Sequence, residues 1–238
     1  MAGQPFVSIL TPTYNRRRFI PTLIKCFLSQ TYPKARMEWI VLDDGSDPVE
    51  DCFAQSKDLP MLRYMKESEK QNIGKKRNRL IQEAKGEILI WMDDDDYYPP
   101  ERVAHVVTKF RQYPTAELAG SSEIYMYYAD IKTIYKLGPY NSNHATNGTM
   151  AVRRSYALSH AYDESVTHAE EKSFLDSYKH PMIQLDPMKT MLVFSHSENT
   201  FNKIKMREDP NPFVKKTDLK IRDFIKDAGL RAFFSALT

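Results

Sequence analysis

Two hydrophobic periods alternate along the first hundred residues of the chain. Short continuous apolar runs have the length of buried strands, and the segments between them repeat apolar residues at helical spacing. This alternation predicts right-handed β–α–β units around a mostly parallel sheet. The predicted strands are Phe6–Leu10, Met37–Leu42, Leu62–Met65 and Ile88–Met92, and the predicted helices are Phe19–Gln30, a short helix near Val49, and Lys75–Ala84.

The pattern changes after a helix predicted over Glu101–Gln112. Two aromatic and β-branched runs, Glu123–Tyr128 and Ile131–Leu137, are typical of antiparallel or mixed strands. We therefore expect an α/β fold in which residues 1–112 form a Rossmann-like half with a mostly parallel sheet. Residues 113–210 are expected to form a half with a mixed sheet.

Residues 211–238 are predicted to be an amphipathic helical extension of a single domain over residues 1–210. Pro210 and Pro212 separate it from that domain, and apolar and basic residues over Thr217–Phe234 follow the spacing of a basic amphipathic helix. Such a helix can pack on the domain, pair with a partner or lie on an anionic membrane. We expect packing on the domain.

Composition narrows the class of protein. The 34 basic and 31 acidic residues give a net charge of +3, which does not indicate binding to nucleic acid. Cys26 and Cys52 lack metal-ligand spacing and are expected to be reduced thiols. No secretory signal pattern or bilayer-length apolar stretch is present, so we expect a soluble, cytoplasmic protein.

Four consecutive carboxylates, Asp93, Asp94, Asp95 and Asp96, follow the apolar run that ends at Met92. Ligands of open α/β sheets bind where parallel strands end. Adjacent carboxylates repel one another, and a divalent cation would offset that repulsion; their hard oxygen ligands suit Mg²⁺ or Mn²⁺. The alternative is a solvated acidic turn.

Three more polar segments occupy places where they would converge on one ligand if the strands are parallel. Thr11–Arg16 offers an aromatic ring, hydroxyls and a guanidinium, which can stack a base and meet a phosphate. Asp43–Ser46 offers carboxylates to base or ribose groups. Asn72–Asn78 contains Gly74, which would permit a tight turn into a helix. Taken singly, each segment could instead be a turn, a cap or a solvated charge.

The order of these segments resembles family 2 glycosyltransferases. That resemblance implies a GT-A fold, a nucleotide-diphospho-sugar donor, most often a UDP-sugar, and transfer with inversion to a hydroxyl acceptor such as a glycan. It also implies a divalent cation, Mn²⁺ or Mg²⁺. The motifs that carry it are Val7–Arg16, Val41–Ser46, Asn72–Asn78 and Gly86–Asp96.

The resemblance also implies roles for residues in the first half. The nucleobase would be bound by Thr11, Pro12, Tyr14, and Asp43 or Asp44. Arg16 and Arg77 would approach the base or a phosphate. Asp93 and Asp94 would lie at the donor, Asp93 and Asp95 being the outer members of the Asp-x-Asp signature, and the direct metal ligand would be Asp95 or Asp96.

In the second half, the family places an acidic pair at a helix start, facing the donor sugar. Glu170 and Glu171 resemble that pair. Inverting transfer needs one base to deprotonate the acceptor hydroxyl, and the alignment favours Glu171. The family usually has Glu-Asp here, so the choice between the two glutamates stays open. The alternative is a helix start enriched in acids because of its dipole.

His196 occupies a position where some family members place a histidine on the metal or diphosphate, although a lone histidine is equally consistent with a structural role. Asn147, Gly148 and Thr149 would border the acceptor or donor sugar. The string His144–Thr149 and a strand start at Asp186–Thr190 are similar to glycosyltransferases of large DNA viruses, which would fit a location in the host cytoplasm.

Two other functions compete with transfer. A sugar-nucleotide pyrophosphorylase needs a Gly-rich basic loop after the first strand, and Thr11–Arg18 contains no glycine. A non-catalytic protein that binds carbohydrate or nucleotide would retain the fold without a working site, yet the acids and a candidate base are all present.

Overall fold

The computed structural model describes residues 3–56, 59, 61–167, 169–199, 203–208 and 211–237, and its strands form two sheets. In chain order the strands are β1 (Val7–Thr13), β2 (Met37–Asp43), β3 (Leu62–Lys66), β4 (Ile88–Trp91), β5 (Leu118–Gly120), β6 (Ile124–Tyr128), β7 (Thr133–Leu137), β8 (Ala151–Arg153), β9 (Ile183–Gln184), β10 (Leu192–Ser195) and β11 (Val214–Lys216).

The larger sheet has seven strands in the order β3-β2-β1-β4-β8-β5-β9. The first four of these are parallel to one another, and β5 pairs in parallel with β9. β8 runs antiparallel to both of its neighbours. The predicted mostly parallel sheet is therefore confirmed, with one reversed strand in its second half.

The smaller sheet has four strands in the order β10-β6-β7-β11 and mixed pairing. β10 is parallel to β6, whereas β7 is antiparallel to both β6 and β11. A single bridge between Tyr97 and Leu192 connects this sheet to the chain just after β4. The predicted mixed sheet of the second half is confirmed.

Nine helices occur in the described residues, several of them only one turn long. They are α1 (Ile20–Leu28), α2 (Glu50–Ala54), α3 (Ile73–Glu83), α4 (Arg102–Gln112), α5 (Arg154–Ser159), α6 (Glu171–Phe174), α7 (Ile204–Glu208), α8 (Ile221–Phe224) and α9 (Ala228–Ser235). Short 3₁₀ turns cover Lys34–Arg36, Asn147–Thr149, Asp176–Tyr178 and Pro187–Lys189.

The central parallel strands β1, β2 and β4 are buried on both faces, which explains their high apolar content, whereas the edge strand β3 is only partly buried. On β1, Ile9 belongs to one hydrophobic cluster and Leu10 to the other. On β4, Ile90 and Trp91 divide in the same way. The larger sheet therefore lies between two apolar layers.

Two strand predictions differ from the structure at their ends. β1 continues to Thr13 rather than ending at Leu10, and it includes Pro12. A proline lacks the N–H of a central strand, but β4 pairs with β1 only as far as Leu10, so no pairing is lost there. β7 begins at Thr133, and Ile131 is exposed in the preceding turn.

The strand start predicted at Asp186–Thr190 is wrong. This segment forms the 3₁₀ turn Pro187–Lys189, because Asp186 Oδ1 accepts a hydrogen bond of 3.0 Å from the backbone N–H of Met188. A side-chain acceptor two residues before a donor competes with strand pairing.

The segment Thr217–Phe234 does not form one helix. It follows β11 and contains two short helices, α8 and α9. Asp227 breaks the pattern because its carboxylate accepts a hydrogen bond from the backbone N–H of Leu230, which caps α9. Phe234 stacks on Phe194 of β10 with ring centroids 4.1 Å apart.

The domain limits at 112 and 210 stay predictions, and Pro210 itself lies outside the described residues. Cys26 is buried and Cys52 partly buried, and both are free thiols. Within the described part of the chain, none of the helices combines the length and apolarity that a membrane crossing requires.

Candidate active site

The acidic run Asp93–Asp96 lies where the chain leaves β4. Because β1 is parallel to both β2 and β4, the segments after these three strands open at one edge of the sheet. The turn itself is fixed by the backbone N–H of Asp93, which donates to the phenol oxygen of Tyr98 over 2.7 Å. The acidic run therefore faces the loop that follows β1.

Arg16 in that loop provides the nearest positive charge for the middle of the acidic run. Its guanidinium nitrogens lie 3.7 Å from an oxygen of Asp94 and 3.8 Å from one of Asp95. A third nitrogen lies 3.8 Å from Glu198. These separations are ion pairs rather than hydrogen bonds, so the guanidinium can still donate to an anionic ligand.

The carboxylates of the acidic run differ in their pKa values because their surroundings differ. Burial and the charge of Asp95 raise the pKa of Asp94, and burial raises the pKa of Asp96. Burial acts in the same direction on Asp95, but a hydrogen bond with His196 and nearby cations lower its pKa below the usual range. The run therefore carries less than its full negative charge in the absence of a cation.

Asp96 points away from the open edge. It is buried, and its Oδ1 accepts a hydrogen bond of 2.8 Å from the backbone N–H of Phe194. This bond ties the end of the acidic run to β10 of the smaller sheet. Asp95 is more accessible, with 15% of its side chain exposed.

Arg77 in α3 joins the acidic run to the acidic pair of the second half. It is buried and donates to Asp93 over 3.1 Å and to Glu170 over 2.9 Å. Burial alone would lower the pKa of Arg77, but the charges of Asp93 and Glu170 raise it above the usual value. The resemblance assigned Arg77 to the base or phosphate; the structure uses its guanidinium as an internal bridge.

The acidic pair spans the start of α6. Glu170 is buried, and its Oε1 also accepts a hydrogen bond of 2.7 Å from the side-chain amide of Asn147. Glu171 is the first residue of α6, and the same amide lies 3.5 Å from its Oε2. Burial and the charge of Glu170 raise the pKa of Glu171. Glu171 therefore has the weaker internal bond and the environment that favours taking up a proton.

The segment before this pair is locked onto α3. Asn78 exchanges two hydrogen bonds of 2.9 Å with the backbone of Tyr162, and the Tyr162 phenol donates to Asn147 over 2.7 Å. Gly74 lies in the first turn of α3, where an added Cβ would be 2.3 Å from the carbonyl oxygen of Asp163. The glycine is needed for this close packing rather than for the tight turn that we expected.

Thr11 and Pro12 lie within β1 and are buried. The hydroxyl of Thr11 donates to the carbonyl oxygen of Met92 over 2.7 Å and accepts from the indole N–H of Trp39 over 3.0 Å. Its polar group is therefore used inside the sheet, and the structure does not bring it to the open edge.

Asp43 and Asp44 organise the turn after β2. Asp43 is buried and accepts from the backbone N–H of Gly45 over 2.8 Å and from the phenol of Tyr64 over 2.6 Å. Asp44 is also buried and lies 2.7 Å from the ammonium of Lys76. Both carboxylates are thus anchored inside the protein, and the structure uses them to hold the loops after β2 and before α3.

Tyr14 is the predicted base-stacking residue that the structure leaves partly exposed. The ammonium of Lys70 lies 4.4 Å from its ring centroid. The next residue, Asn15, has a left-handed φ of 52°. It approaches Gly45 so closely that a Cβ added to Gly45 would lie 2.6 Å from the backbone nitrogen of Asn15. The loops after β1 and β2 are therefore in direct contact beside Tyr14.

His196 is buried beneath the ring of Phe19, with centroids 5.0 Å apart. Its Nε2 lies 3.4 Å from Asp95 Oδ2, and its Nδ1 accepts a hydrogen bond of 3.2 Å from the backbone N–H of Glu198. The side-chain amide nitrogen of Asn199 lies 3.0 Å from the same Nε2 and donates to Asp95 Oδ2 over 3.1 Å. His196, Asn199 and Asp95 therefore form one connected polar cluster at the acidic run.

The geometry agrees with the comparison to protein families. The sequence profile described as Glycosyl transferase family 2 matches residues 8–158, more than half of the chain. The chain belongs to glycosyl transferase family 2. The match begins in β1 and ends in α5, so it contains the acidic run and Arg77 but not the acidic pair.

Curated relatives agree with this family over its first part. Glycosyltransferase AglE of Haloferax volcanii is 37% identical over 93 residues, which are 38% of this chain and 31% of AglE. Poly(ribitol-phosphate) β-N-acetylglucosaminyltransferase TarS of Staphylococcus aureus is 31% identical over 96 residues, 40% of this chain and 17% of TarS. The aligned part thus spans less than a third of either relative.

Solved structures show the same GT-A fold. S. aureus TarS 1-349 in complex with UDP-GlcNAc superimposes with a TM-score of 0.68 at 18% identity, covering 82% of this chain and 60% of that one. Mannosyltransferase PcManGT from Pyrobaculum calidifontis, in complex with GDP-Man and Mn²⁺, gives 0.65 at 15% identity, covering 83% and 59%. The predicted fold class is confirmed.

The donor set of this family 2 chain fits a divalent cation. Among the described residues, no three His, Cys, Asp or Glu side chains converge as a cage. Mg²⁺ is usually held by one or two carboxylates together with substrate phosphates, so a cage is not required. Asp95 offers a partly exposed carboxylate beside Asp94, whose buried charge a cation would offset.

Sequence reasoning missed several residues of the family 2 site because they act on other side chains. Lys76 pairs with Asp44, and Asn199 donates to Asp95 over 3.1 Å. Both occur inside motifs that drew attention for a neighbour, Arg77 and His196. A polar residue next to a predicted site residue was the available signal.

Proposed function

We propose that the protein is a metal-dependent inverting glycosyltransferase. It would move a sugar from a nucleotide-diphospho-sugar to a hydroxyl group of an acceptor, with a UDP-sugar as the favoured donor and a glycan as the favoured acceptor. Membership of the family supports transfer, and the geometry of the two acidic regions supports the assignment of roles.

The observation that carries this proposal is the bridge formed by Arg77. One buried guanidinium contacts Asp93 of the acidic run and Glu170 of the acidic pair. Transfer requires a group that stabilises the negative charge of the leaving diphosphate and a base that deprotonates the acceptor. Both must lie close to the same sugar carbon. Because one guanidinium contacts both regions, the bridge holds the acidic run and the acidic pair close together.

Glu171 would act as the base. As its carboxylate removes the proton from the acceptor hydroxyl, that oxygen attacks the anomeric carbon of the donor and the bond to the diphosphate oxygen breaks. Attack from the face opposite the leaving group inverts the configuration of that carbon. Glu170 would keep the pair in position, because Arg77 and Asn147 occupy its oxygen.

Arg16 would donate hydrogen bonds to the diphosphate beside the acidic run. Asp95 would hold the divalent cation, with Asp94 next to it, and the cation would supply positive charge to the departing nucleoside diphosphate. Asp96 is the weaker candidate for a ligand because its oxygen is bound to the backbone of Phe194. Tyr14 would stack on the base, and the buried Asp43 and Asp44 would hold the loop beside it in place.

Support for a nucleotide-sugar donor comes from similar folds, which include TarS in complex with UDP-GlcNAc and PcManGT in complex with GDP-Man and Mn²⁺. These two proteins use different nucleotides, so preference for UDP rests on the resemblance of the motifs. A viral origin and a cytoplasmic location stay predictions from the sequence.

The test is release of nucleoside diphosphate from UDP-, GDP- and dTDP-sugars with Mn²⁺, with Mg²⁺ and with a chelator. We expect metal-dependent release from one donor, reduced by about 10²–10³-fold or more in Asp95→Ala. Asp51→Ala removes an exposed aspartate, whose side chain is 60% accessible, and serves as the control. Release that the chelator leaves unchanged would contradict metal dependence.

A further inference from the structure

Four partly exposed aromatic rings form a row beside the acidic pair. Tyr178 and His144 are nearly parallel with centroids 5.0 Å apart, Tyr140 is 4.8 Å from His144, and Phe213 is 5.2 Å from Tyr140. We call these four residues the aromatic row. Its members come from three separate segments of the chain, so the fold gathers them at one place.

The aromatic row begins close to the candidate base. Tyr178 lies in the 3₁₀ turn that directly follows α6, the helix that Glu171 begins. Burial and the negative charges of Glu171 and Glu170 raise the pKa of Tyr178 to about 12. At the other side, His144 is three residues before Asn147, whose amide reaches both glutamates. The row therefore extends outward from the place where an acceptor hydroxyl would react.

The backbone that carries Tyr178 is strained. Asp176, Ser177 and Tyr178 have left-handed φ values of 45°, 57° and 62° in succession. Non-glycine residues rarely adopt this conformation, and such strain accumulates where a binding site requires it. Tyr178 packs against the hydrophobic core with one part of its ring and keeps another part accessible.

The rings keep accessible area despite touching one another. Phe213 is 41% exposed, and Tyr140, His144 and Tyr178 are partly exposed. The buried Nδ1 of His144 has no hydrogen-bond partner in the part of the chain that the structure describes, so that nitrogen does not anchor the ring.

Polar groups border the aromatic row on the same loop. Asn141 and Ser142 are exposed and Asn143 is partly exposed. Amides and hydroxyls both donate and accept hydrogen bonds, and apolar ring faces bind the C–H faces of flat ligands. Sugars present C–H faces together with hydroxyl rims, whereas the row carries no charged group that would select an ionic ligand.

We propose that the aromatic row is an acceptor subsite that binds a glycan of several sugar units, with its reacting end at Tyr178 and its remote end at Phe213. This inference rests on the proposed transferase function and specifies its acceptor. A row of successive ring contacts is longer than one sugar, so affinity is expected to increase with the length of the acceptor.

The test is a titration of the full chain monitored by NMR. The ligands are unbranched oligosaccharides of glucose and of N-acetylglucosamine, from the monosaccharide to the hexasaccharide. We expect at least one oligosaccharide series to bind about tenfold more tightly than its monosaccharide. Phe213→Ala and Tyr140→Ala should each weaken binding of the longer sugars by about three- to tenfold, with little change for the monosaccharide.

Two variants separate stacking from folding. Tyr140→Phe keeps the ring and should bind as the wild type does. Tyr113→Ala removes a tyrosine that is 53% exposed and does not belong to the row, and it should also leave binding unchanged. The subsite would be overturned if Tyr140→Phe lost as much affinity for the longer sugars as Tyr140→Ala does. It would also be overturned if Tyr113→Ala lost as much affinity as Tyr140→Ala does.

Titration of the same wild-type sample with UDP and Mn²⁺ distinguishes the two levels of the proposal. Nucleotide binding without binding of any oligosaccharide would overturn the aromatic subsite and leave the transferase function standing. Absence of both would overturn both.

Discussion

The acidic run after β4 and the acidic pair at α6 differ in sequence and place, yet in each of them an anchored carboxylate stands beside a more accessible one. In the run, Asp96 is bound to the backbone of β10, whereas Asp95 is partly exposed. In the pair, Arg77 and Asn147 hold Glu170, whereas Glu171 has a longer contact of 3.5 Å with the same Asn147 amide. Adjacent acids of the same type therefore have different environments, and their partners cause the difference.

The two regions also differ in how charge is balanced. A hydrogen bond with His196 and the positive charges of Lys203 and Arg16 lower the pKa of Asp95, whereas burial raises the pKa of Glu171 in the pair. A carboxylate that stays ionised suits a metal and phosphate site, and one with a raised pKa suits a base.

Removal of the bridge should have the largest effect, because it disturbs both regions. Arg77→Ala leaves Asp93 and Glu170 without their common partner, and we expect the free energy of unfolding to fall by about 3–5 kcal/mol. Urea denaturation followed by circular dichroism measures this.

The control for the bridge lies two residues further along α3. Arg79 is 56% exposed and pairs only with Glu83 among the described residues. Arg79→Ala should change stability by less than about 1 kcal/mol. Similar losses in both variants would show that Arg77 is not a special contact between the acidic regions.

Exchange of the open glutamate should mainly slow the reaction. Glu171→Gln removes the base while keeping the size of the side chain, and we expect kcat to fall by about 10²–10⁴-fold. Single-turnover transfer measures this step.

The anchored neighbour should behave in the opposite way. Glu170→Gln weakens the charge-assisted bond with Arg77, and we expect a loss of about 1–3 kcal/mol in stability with a smaller loss in kcat. A larger loss of kcat in Glu170→Gln than in Glu171→Gln would reverse the assignment of the base.

The pH dependence of transfer should report the raised pKa of Glu171. The base works only when deprotonated, so kcat/KM should rise with pH, with a midpoint above the value of about 4.3 for an ordinary glutamate. A profile recorded with Glu171→Gln should lack this rise. The same rise in both enzymes would assign it to another group.

The smallest expected effect concerns stability. Because the pKa of Glu171 is higher in the folded state, its protonated form favours folding, and this contribution is lost as the pH rises through that pKa. Glu171→Gln should therefore be more stable than the wild type at pH 7, and the gain should disappear towards pH 4. Urea denaturation at both values tests the sign; a variant less stable at pH 7 would contradict it.

Most of the fold could be predicted from the sequence where strands are buried on both faces. Ile88–Trp91 is a continuous apolar run, and Met37–Asp43 is apolar except for Glu38 and the terminal Asp43; the pairing of both with β1 follows from right-handed connections. The short strands β5, β8 and β9 have two or three residues each, too few for a period to be visible. They form strands because the fold places each of them beside another strand with which its backbone can pair.

The candidate site was predictable as a set of positions, but the partners were not. Asp93–Asp96 and Glu170–Glu171 stand out as acids after a strand and at a helix start. That Arg77 would connect them depends on α3 packing against the Tyr162–Asp163 segment, a contact between residues more than 80 positions apart. Side-chain partners at such separation are set by packing, which a local pattern does not encode.

The proposed mechanism divides its roles between Asp95 at the donor and Glu171 at the acceptor. The decisive measurement is calorimetric titration of the donor sugar nucleotide, with Mn²⁺, into Asp95→Ala and Glu171→Gln. We predict that Asp95→Ala loses donor affinity by at least about tenfold, while Glu171→Gln binds the donor as the wild type does and fails only in transfer. Equal loss of donor affinity in the two variants would contradict the separate roles.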